Sequence, residues 1–312
     1  MGETQSAAPG GPYAAPRAVA GLHECWFYHT MELPGHGVVA GPWDLRGGVE
    51  AYLGGVDVRG KRVLDVGAAS GFLSFEMERR GADVVAYDLS DEHDWDSVPY
   101  ARHDHEQGCR QRRAHIRQLN SSFWLGHRAF RSRARMVHGT VYDVPASIGP
   151  VDVATFGCIL LHLRDPFLAL ANGLRFAREK AVITQPLHGR PWERAVMGRP
   201  PAPPASGLAL GRHWLRSAVK RTIKRVFRIY EPVEMAPCMG FMPDHREAGG
   251  PETWWFFTPQ VLQEIAGCLG FERSRVSYHE QLYNGRPHAM YTVVAERTRP
   301  LPKRLDGSYP WF

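Results

Sequence analysis

The sequence predicts an α/β fold, in which helices cover both faces of a doubly wound parallel sheet of about seven strands. Short apolar runs alternate with helical segments from Lys61 onward, and this alternation is typical of parallel sheets. The chain of 312 residues is 44% hydrophobic and 22% charged, so it can bury a large core. These values exclude a disordered protein and a disulfide-stapled mini-protein.

The part of the chain up to Gln185 supplies five predicted strands and two predicted helices. Each strand is a short apolar run of the kind that is buried in a sheet. The strands are Lys61–Val66, Asp83–Asp88, Ala134–His138, Val151–Gly157 and Glu179–Gln185. Helical spacing predicts one helix at Gly71–Arg80 and another at Asp165–Ala177, which begins with the start signal Asp-Pro.

The alternation resumes after a long interruption. A helix is predicted from Thr258–Pro259 to Gly270, because proline is favoured in a first helical turn and glycine just after the last. Two further strands are predicted near Glu272–Tyr278 and His288–Glu296. Asn284–Gly285 lies between them and is typical of a hairpin turn.

Composition divides the chain into five segments. The start is rich in Ala, Gly and Pro and predicts a disordered tail, whereas the aromatic stretch after it must pack on a core. The interruption contains the loop GRPPAPPAS and an amphipathic helix at Trp214–Tyr230. The predicted segments are a tail at 1–20, an N-terminal cover at 21–58, the core at 59–186, an inserted helical lid at 187–250 and a C-terminal part of the core at 251–312.

Charge and cysteine content predict the setting of the protein. The net charge of +6 is only a weak indication of anionic partners. The five cysteines are scattered without C-x-x-C spacing, which predicts free thiols and no metal site. No apolar run approaches the ~20 residues of a membrane span, and the start lacks a signal core. We therefore expect a cytoplasmic protein without a membrane span, and the sequence leaves open whether it forms a homo-oligomer.

The segment with the most chemical information joins the first predicted strand to its helix. After Asp65 the chain turns through small residues before the helix begins at Gly71, so a ligand can approach the backbone N–H groups closely. The turn residues are Gly67, Ala68 and Ala69. The next strand ends in Asp88, about twenty residues on, where a carboxylate can accept both hydroxyls of a ribose.

The spacing of this turn discriminates between cofactors. The dinucleotide signature G-x-G-x-x-G fails, because position 69 is alanine and position 72 is phenylalanine, and both crowd a pyrophosphate. Asp65 favours a cofactor with a cationic amino-acid end instead. The alternative is a tight strand–helix turn that binds no ligand.

D-V-G-x-x-x-G at 65–71, followed by a helix and a strand ending in an acid, resembles motif I of class I S-adenosylmethionine-dependent methyltransferases. The resemblance covers roughly Arg59 to Glu296 and implies a Rossmann-like fold with an antiparallel last strand. It also implies methyltransferase activity with S-adenosylmethionine as the cofactor. W-x-x-H-T-M-E-L-P-G, FEMERRGA, LLHLRDPFLAL and TWWFFTPQVLQEIAGCLGF resemble, more specifically, a subfamily related to the tRNA-uridine carboxymethyltransferases.

The resemblance assigns a cofactor contact to each matching residue. Asp65, Gly67 and Gly71 are expected to form the cofactor turn, and Asp88 to hold the ribose. Asp143 occupies the position that often meets the adenine amino group. The other expected cofactor contacts are Ala68, Ala69, Leu89, Gly157 and Trp43, with Arg46 helping Trp43 to close the pocket.

The residues after the fourth predicted strand bear on which group is transferred. The carboxymethyltransferases have tyrosine and histidine followed by two arginines there, whereas this chain has Leu161-His162-Leu163-Arg164. The phenol near the extra carboxylate is therefore missing. This difference favours transfer of a plain methyl group.

His162 is the first candidate for a catalytic base, because histidine titrates near neutral pH and the end of a strand is where ligands lie. Its alternative role is to cap or bond the helix at Asp165. His29 is the second candidate, with a structural role as its alternative. Trp254 and Trp255 are candidates for stacking on a flat acceptor, although such residues more often belong to the core.

The helix at Trp214–Tyr230 carries a basic face that could attract phosphates. Its cations are Arg216, Lys220, Arg221, Lys224, Arg225 and Arg228. A lid is the favoured interpretation, because this face lacks interleaved aromatic residues for stacking on bases.

Together, the cofactor turn, the candidate base His162 and the lid predict O-methylation of a small, largely apolar, hydroxyl-bearing specialised metabolite. The alternative is a tRNA wobble-uridine methyl- or carboxymethyltransferase.

Overall fold

The structure is a computed structural model that describes residues 11–98, 104–187, 237–244 and 252–301. Its strands are β1 (Met31–Leu33), β2 (Gly37–Val39), β3 (Trp43–Asp44), β4 (Arg62–Val66), β5 (Asp83–Asp88), β6 (Arg135–His138), β7 (Val151–Gly157), β8 (Ala177–Pro186), β9 (Met239–Phe241), β10 (Trp255–Phe257), β11 (Arg273–Tyr283) and β12 (Arg286–Glu296). Its α-helices are α1 (Val49–Tyr52), α2 (Phe72–Arg79), α3 (His105–Phe130), α4 (Pro166–Leu174) and α5 (Pro259–Cys268).

Eight strands form one sheet in the order β3-β11-β12-β8-β7-β4-β5-β6. The five strands from β8 to β6 are parallel, and β12 pairs antiparallel with β8. This topology confirms the predicted α/β, Rossmann-like sheet with an antiparallel last strand. The described sheet has eight strands because Trp43–Asp44 of the N-terminal cover adds an edge strand beside Leu282–Tyr283.

The predicted C-terminal hairpin is present and is longer than expected. β11 and β12 pair along their whole length, from Arg273 opposite Glu296 to Tyr283 opposite Arg286. Asn284 and Gly285 form the two-residue turn, with φ of 48° and 72°. Positive φ at both positions suits the right-handed twist of the two strands.

The helix α4 is shorter than its predicted range. Asp165 caps it by accepting a hydrogen bond of 2.9 Å from the Leu168 N–H, and Pro166 occupies the first turn. The helix ends at Leu174 rather than at Ala177 because Ala177 already belongs to β8.

The long helix α3, which lies between β5 and β6, was not predicted from the sequence. Asp104 caps its start by accepting a hydrogen bond of 2.9 Å from the Gln107 N–H. Five of its 26 residues are arginines, but Phe123 and Trp124 are buried in its second half. The helix forms one wall of the cavity described below.

The N-terminal cover packs on α3 and on the turn after β4. Ser122 donates a hydrogen bond of 2.7 Å to the Trp26 carbonyl, and the Ser70 hydroxyl accepts one of 3.2 Å from the Tyr28 N–H. Residues 1–10 of the predicted tail lie outside the described residues, but residues 11–20 are ordered against the core rather than a tail: Val19 is buried, and the Ala14 N–H donates a hydrogen bond of 2.8 Å to the Met136 carbonyl. The predicted lid lies outside the described residues over 188–236 and 245–250. Within the described part of the chain, no helix is both long and apolar enough to span a membrane.

Candidate cofactor and acceptor site

A cavity of about 310 Å³ lies at the carboxyl ends of the parallel strands. The ends of four neighbouring strands, β4 to β7, open into it through Gly67, Asp88, Gly139 and Gly157. In open α/β sheets this edge is where ligands bind, because the chain reverses there and leaves a crevice. The cavity therefore coincides with the predicted turn and its acidic partner.

The turn after β4 needs glycine at its first and last positions. Gly67 and Gly71 have φ of 83° and 87°. A Cβ atom on Gly67 would lie 2.8 Å from Ile159, and one on Gly71 would lie 2.7 Å from Phe75 and Phe123. Both positions therefore combine a left-handed backbone with a close approach of neighbouring side chains.

Ala69 sits in the same turn with a positive φ of 49°, which is unusual for a residue with a side chain. Its N–H donates a hydrogen bond of 2.6 Å to Asp88 Oδ2, and the Leu89 N–H donates one of 2.7 Å to Oδ1. The carboxylate at the end of β5 thus holds the turn after β4. Ala68 lies within the turn but is buried outside the cavity lining.

Asp88 is the acidic group of the cavity whose pKa departs most from that of a carboxyl in water. Burial raises its pKa to about 6, against the lowering effect of the hydrogen bonds from Ala69 and Leu89. A carboxylate at this position can accept hydrogen bonds from two neighbouring hydroxyls.

Asp65 is buried below the turn and does not line the cavity. Its two oxygens accept hydrogen bonds from Ser74 (2.6 Å) and Thr155 (2.8 Å). Burial raises the pKa of Asp65, and these hydroxyls oppose the shift. In this structure the carboxylate fastens β4 to α2 and β7.

The end of the cavity beside Asp88 is lined by apolar and small polar side chains. Leu89, Thr140 and Val141 come from the loops after β5 and β6, and Ile116 and Asn120 come from α3. The Asn120 amide donates a hydrogen bond of 3.1 Å to the Leu89 carbonyl. Asp143, the expected adenine contact, is exposed and does not line this cavity.

The other end of the cavity contains His162, half-buried and next to β7. Its Nδ1 lies 2.5 Å from the Glu252 carbonyl oxygen. A carbonyl can only accept, so Nδ1 carries the hydrogen, and in the neutral ring Nε2 keeps its lone pair. Burial lowers the pKa of His162, which favours that neutral ring. Asp165, the alternative partner, caps α4 instead.

His29 and Trp43 lie beside the cavity without lining it. His29 is buried, which lowers its pKa to about 3, and its Nδ1 has no hydrogen-bond partner among the residues that the structure describes. The Trp43 backbone N–H donates a hydrogen bond of 3.2 Å to the Tyr28 carbonyl, and Tyr28 does line the cavity. Arg46 pairs with Asp44 at 2.7 Å.

The aromatic residues of 254–257 hold the segment above the cavity in place. The Trp254 indole donates a hydrogen bond of 3.0 Å to the Asp96 carbonyl, and the Trp255 indole donates one of 3.1 Å to the Arg164 carbonyl. Phe256 and Phe257 are buried. These contacts agree with the alternative that the aromatic run belongs to the core.

Several residues that follow β5 line the cavity and were not predicted from the sequence. Trp95 lines the end of the cavity that contains His162, which is called the acceptor end below. The centroid of the Trp95 ring lies 6.1 Å from that of His162. Asp96 accepts hydrogen bonds from the Tyr142 hydroxyl and the Arg164 side chain. The sequence carried no signal for these residues beyond their position after a strand that ends in an acid.

The arginines around the acceptor end are paired with acids. Arg164 pairs with Asp96, whose side chain is 8% exposed. Arg112 and Arg113 of α3 pair with Glu252 (2.6 Å) and Asp94 (2.7 Å). Within the described part of the chain, each of these three arginines is therefore balanced by an acidic partner. The basic helix predicted at 214–230 lies outside the described residues.

No family model and no curated protein matches the sequence. The chain is similar in structure to the N-terminal domain of EvdMO1 with SAH bound (14% identity, TM-score 0.42, 80% of this chain and 77% of that one). It is similar to 1,6-didemethyltoxoflavin-N1-methyltransferase from Burkholderia thailandensis (16%, 0.38, 80% and 75%), which holds 1,6-didemethyltoxoflavin and S-adenosylhomocysteine. It is also similar to a putative RNA methyltransferase, PH1948, from Pyrococcus horikoshii (9%, 0.39, 80% and 80%).

The class of fold follows from the chain's own topology. Parallel strands β6, β5, β4, β7 and β8 are followed in the sheet by the antiparallel pair β12 and β11, and the glycine turn follows the central strand β4. This is a Rossmann-like α/β fold with an antiparallel last strand.

Proposed function

We propose that this chain is an S-adenosylmethionine-dependent methyltransferase that methylates a hydroxyl group of a small, largely apolar metabolite. The observation that carries the proposal is one cavity lined both by Asp88 with its glycine turn and by the neutral imidazole of His162. A cofactor site and a proton acceptor in one cavity are what methyl transfer to oxygen requires.

The residues at the Asp88 end fit an adenosyl cofactor. Gly67 provides a surface from which a Cβ atom is excluded, and Asp88 offers carboxylate oxygens to the ribose hydroxyls. Leu89 and Val141 offer apolar surface to a flat base. The unusual φ of Ala69 directs its N–H to Asp88 and so fixes the position of this carboxylate.

S-adenosylmethionine supplies a methyl group on a positively charged sulfur when bound. Gly67, Asp88 and Leu89 would hold this cofactor, and its methyl group would pass to an acceptor oxygen bound beside His162, leaving S-adenosylhomocysteine. His162 accepts the hydroxyl proton at Nε2, and its hydrogen bond to the Glu252 carbonyl stabilises the resulting imidazolium.

The charge of the acceptor end supports a plain methyl donor. A carboxylated cofactor would need a cation for its extra carboxylate, but Arg164 is paired with Asp96 and Arg112 with Glu252. Leu161 is buried, and its carbonyl accepts a hydrogen bond of 2.7 Å from the Trp254 N–H. We therefore expect the ordinary cofactor to bind more tightly than the carboxylated one.

The same charge balance supports a neutral small molecule over an RNA acceptor. Nucleic acid binding relies on cations that can meet phosphates, whereas Arg112, Arg113 and Arg164, the described arginines beside His162, already have acidic partners. The likeness to the tRNA-uridine carboxymethyltransferase subfamily keeps tRNA modification as the second hypothesis.

A cytoplasmic location stays a prediction, in keeping with the five free thiols.

Mass spectrometry of reactions with S-adenosylmethionine tests this function. The acceptors to supply are a panel of phenols, aliphatic alcohols and unmodified tRNA, and the expected product is a phenol or alcohol carrying one added methyl group. His162→Gln should lower turnover by about 10²–10⁴-fold while cofactor binding is retained. His23→Gln, at an exposed histidine, is the control and should leave turnover unchanged.

Two outcomes contradict the proposal. Unchanged turnover in His162→Gln removes the histidine as the base. If tRNA is the acceptor that gains mass, and neutralising Arg221, Lys224, Arg225 and Arg228 abolishes that activity, the tRNA hypothesis replaces the small-molecule one.

A further inference from the structure

One arginine of α3 connects the two aromatic residues at the acceptor end of the cavity. The Arg112 guanidinium carbon lies 4.9 Å from the centroid of the Trp95 ring, within the range of a cation–π contact. Its Nη2 donates to Glu252 Oε1 at 2.6 Å. Trp95 lines the cavity, so Arg112 supports that wall from outside the cavity lining.

Glu252 carries this connection on to His162. Its side chain pairs with Arg112, while its backbone carbonyl accepts the hydrogen of His162 Nδ1. The Trp254 N–H donates a hydrogen bond of 2.7 Å to the Leu161 carbonyl, so the two segments run side by side at this point. The partner that selects the Nδ1–H form of His162 is thus itself held by the ion pair to Arg112.

We propose that Arg112 and Glu252 are positioning residues, which orient Trp95 and His162 toward the acceptor. This inference rests on the proposed role of His162 as the proton acceptor. Arg112 acts on Trp95 through the face of the indole and on His162 through Glu252. The acceptor would then meet a fixed indole and an imidazole whose Nε2 lone pair is available, both set by one side chain outside the cavity.

The solvent exposure of Arg112 and Glu252 indicates that their ion pair affects the orientation of the rings more than the stability of the fold. The Arg112 side chain is 28% exposed and that of Glu252 is 69% exposed. Exposed ion pairs stabilise a fold very little, because water screens them and the side chains lose freedom. Removing Arg112 should therefore leave the protein folded and change the ordering of the two rings.

The tautomer of His162 measures this ordering without any acceptor. In the full chain labelled with ¹⁵N-histidine, NMR distinguishes the Nδ1–H from the Nε2–H form, and loss of signals in His162→Gln identifies the residue. We expect the Nδ1–H form in the wild type, a mixture of both forms in Arg112→Ala and partial recovery in Arg112→Lys. Arg110→Ala is the matched control, since Arg110 pairs with Glu106 on the same helix and should leave the tautomer unchanged.

Kinetics with an acceptor found by mass spectrometry give a second readout. Arg112→Ala should lower kcat by about 10–100-fold through misplacement of reacting groups, with little further loss when His162→Gln is already present. An unaltered tautomer in Arg112→Ala, or an equal change in Arg110→Ala, overturns the inference and leaves the proposed function standing. A wild-type protein that fails to bind S-adenosylmethionine removes the proposed function, while the tautomer comparison still decides the positioning role.

Discussion

Asp88 combines a structural and a proposed binding role in one carboxyl group. It bonds the N–H groups of Ala69 and Leu89, and burial raises its pKa from 3.8 to about 6. Since the pKa is raised in the folded state, the folded chain keeps this proton up to about pH 6. The contribution of Asp88 to stability is therefore present at acidic pH and is lost as the pH rises from about 4 to 6.

Cofactor binding should have the opposite pH dependence. Ribose hydroxyls donate to the ionised carboxylate, so we expect S-adenosylmethionine affinity to rise from pH 5 to 7. Binding below pH 6 should also release a proton. Calorimetry in two buffers of different ionisation heat measures this release. An affinity that stays constant over this range contradicts the assignment of Asp88.

Replacement of Asp88 isolates its part in binding. Asp88→Ala should weaken S-adenosylmethionine binding by roughly 1.5–3 kcal/mol, the size of a hydrogen bond to a charged group. Asp83→Ala is the matched control, because Asp83 lies at the opposite end of β5 and pairs with Arg135. Isothermal calorimetry should find the control close to wild type, and equal affinities for all three proteins would falsify the assignment.

At the junction of β4 and α2, the backbone conformation and the packing of neighbouring side chains both require glycine. Gly71 precedes α2 in a left-handed conformation, and a Cβ atom there would lie 2.7 Å from the rings of Phe75 and Phe123. Gly55, after α1, also has a positive φ of 68° but has open space around it. The two glycines thus share the backbone conformation and differ in crowding.

Alanine at these two positions should separate the two costs. Gly55→Ala bears only the left-handed conformation, about 1–2 kcal/mol. Gly71→Ala adds the overpacking of two buried rings, about 1–3 kcal/mol more. Urea denaturation measures the free energy of unfolding of each variant. Equal losses in the two variants would mean that the ring contacts at Gly71 relax without cost.

The site as a whole is assembled from parts of the chain far apart in sequence. Tyr28 comes from the N-terminal cover, Asp88 from β5, Asn120 from α3 and His162 from the turn after β7, and Glu252 lies beside β10. A ligand that bridges these parts binds only the folded chain and stabilises it by mass action.

This linkage predicts a thermal shift. S-adenosylmethionine at 100 times its Kd should add about 2.7 kcal/mol to the free energy of unfolding. At about 2.1 cal/mol/K of unfolding entropy per residue, that value corresponds to a rise of roughly 4 °C in Tm for a chain of 312 residues. Differential scanning fluorimetry should show the shift in wild type and Asp83→Ala, and a much smaller one in Asp88→Ala at the same concentration. A full shift in Asp88→Ala argues against the ribose contact.

Local pattern sufficed for the parallel strands, the turn after β4 and the acid at the end of β5. Buried strands appear as apolar runs, and a glycine turn with an acid about twenty residues later carries its own spacing. The helix α3 was not predicted, because its arginines interrupt the apolar spacing of the face that contains Phe123 and Trp124. Edge strand β3 has two residues, too few for a periodic signal.

By itself, the sequence determined the sheet and the glycine turn. It also predicted that Asp88 ends one strand and that His162 follows another, at the same edge of the sheet. Only the tertiary structure decided that Asp65 faces Ser74 and Thr155, and that His162 meets the carbonyl of Glu252, 90 residues away. The physical reason is that spacing along the chain reports which side of a strand or helix a residue occupies. Which residue it contacts on that side depends on how distant segments pack. Arg112, for example, pairs with Glu252, which lies 140 residues further along the chain.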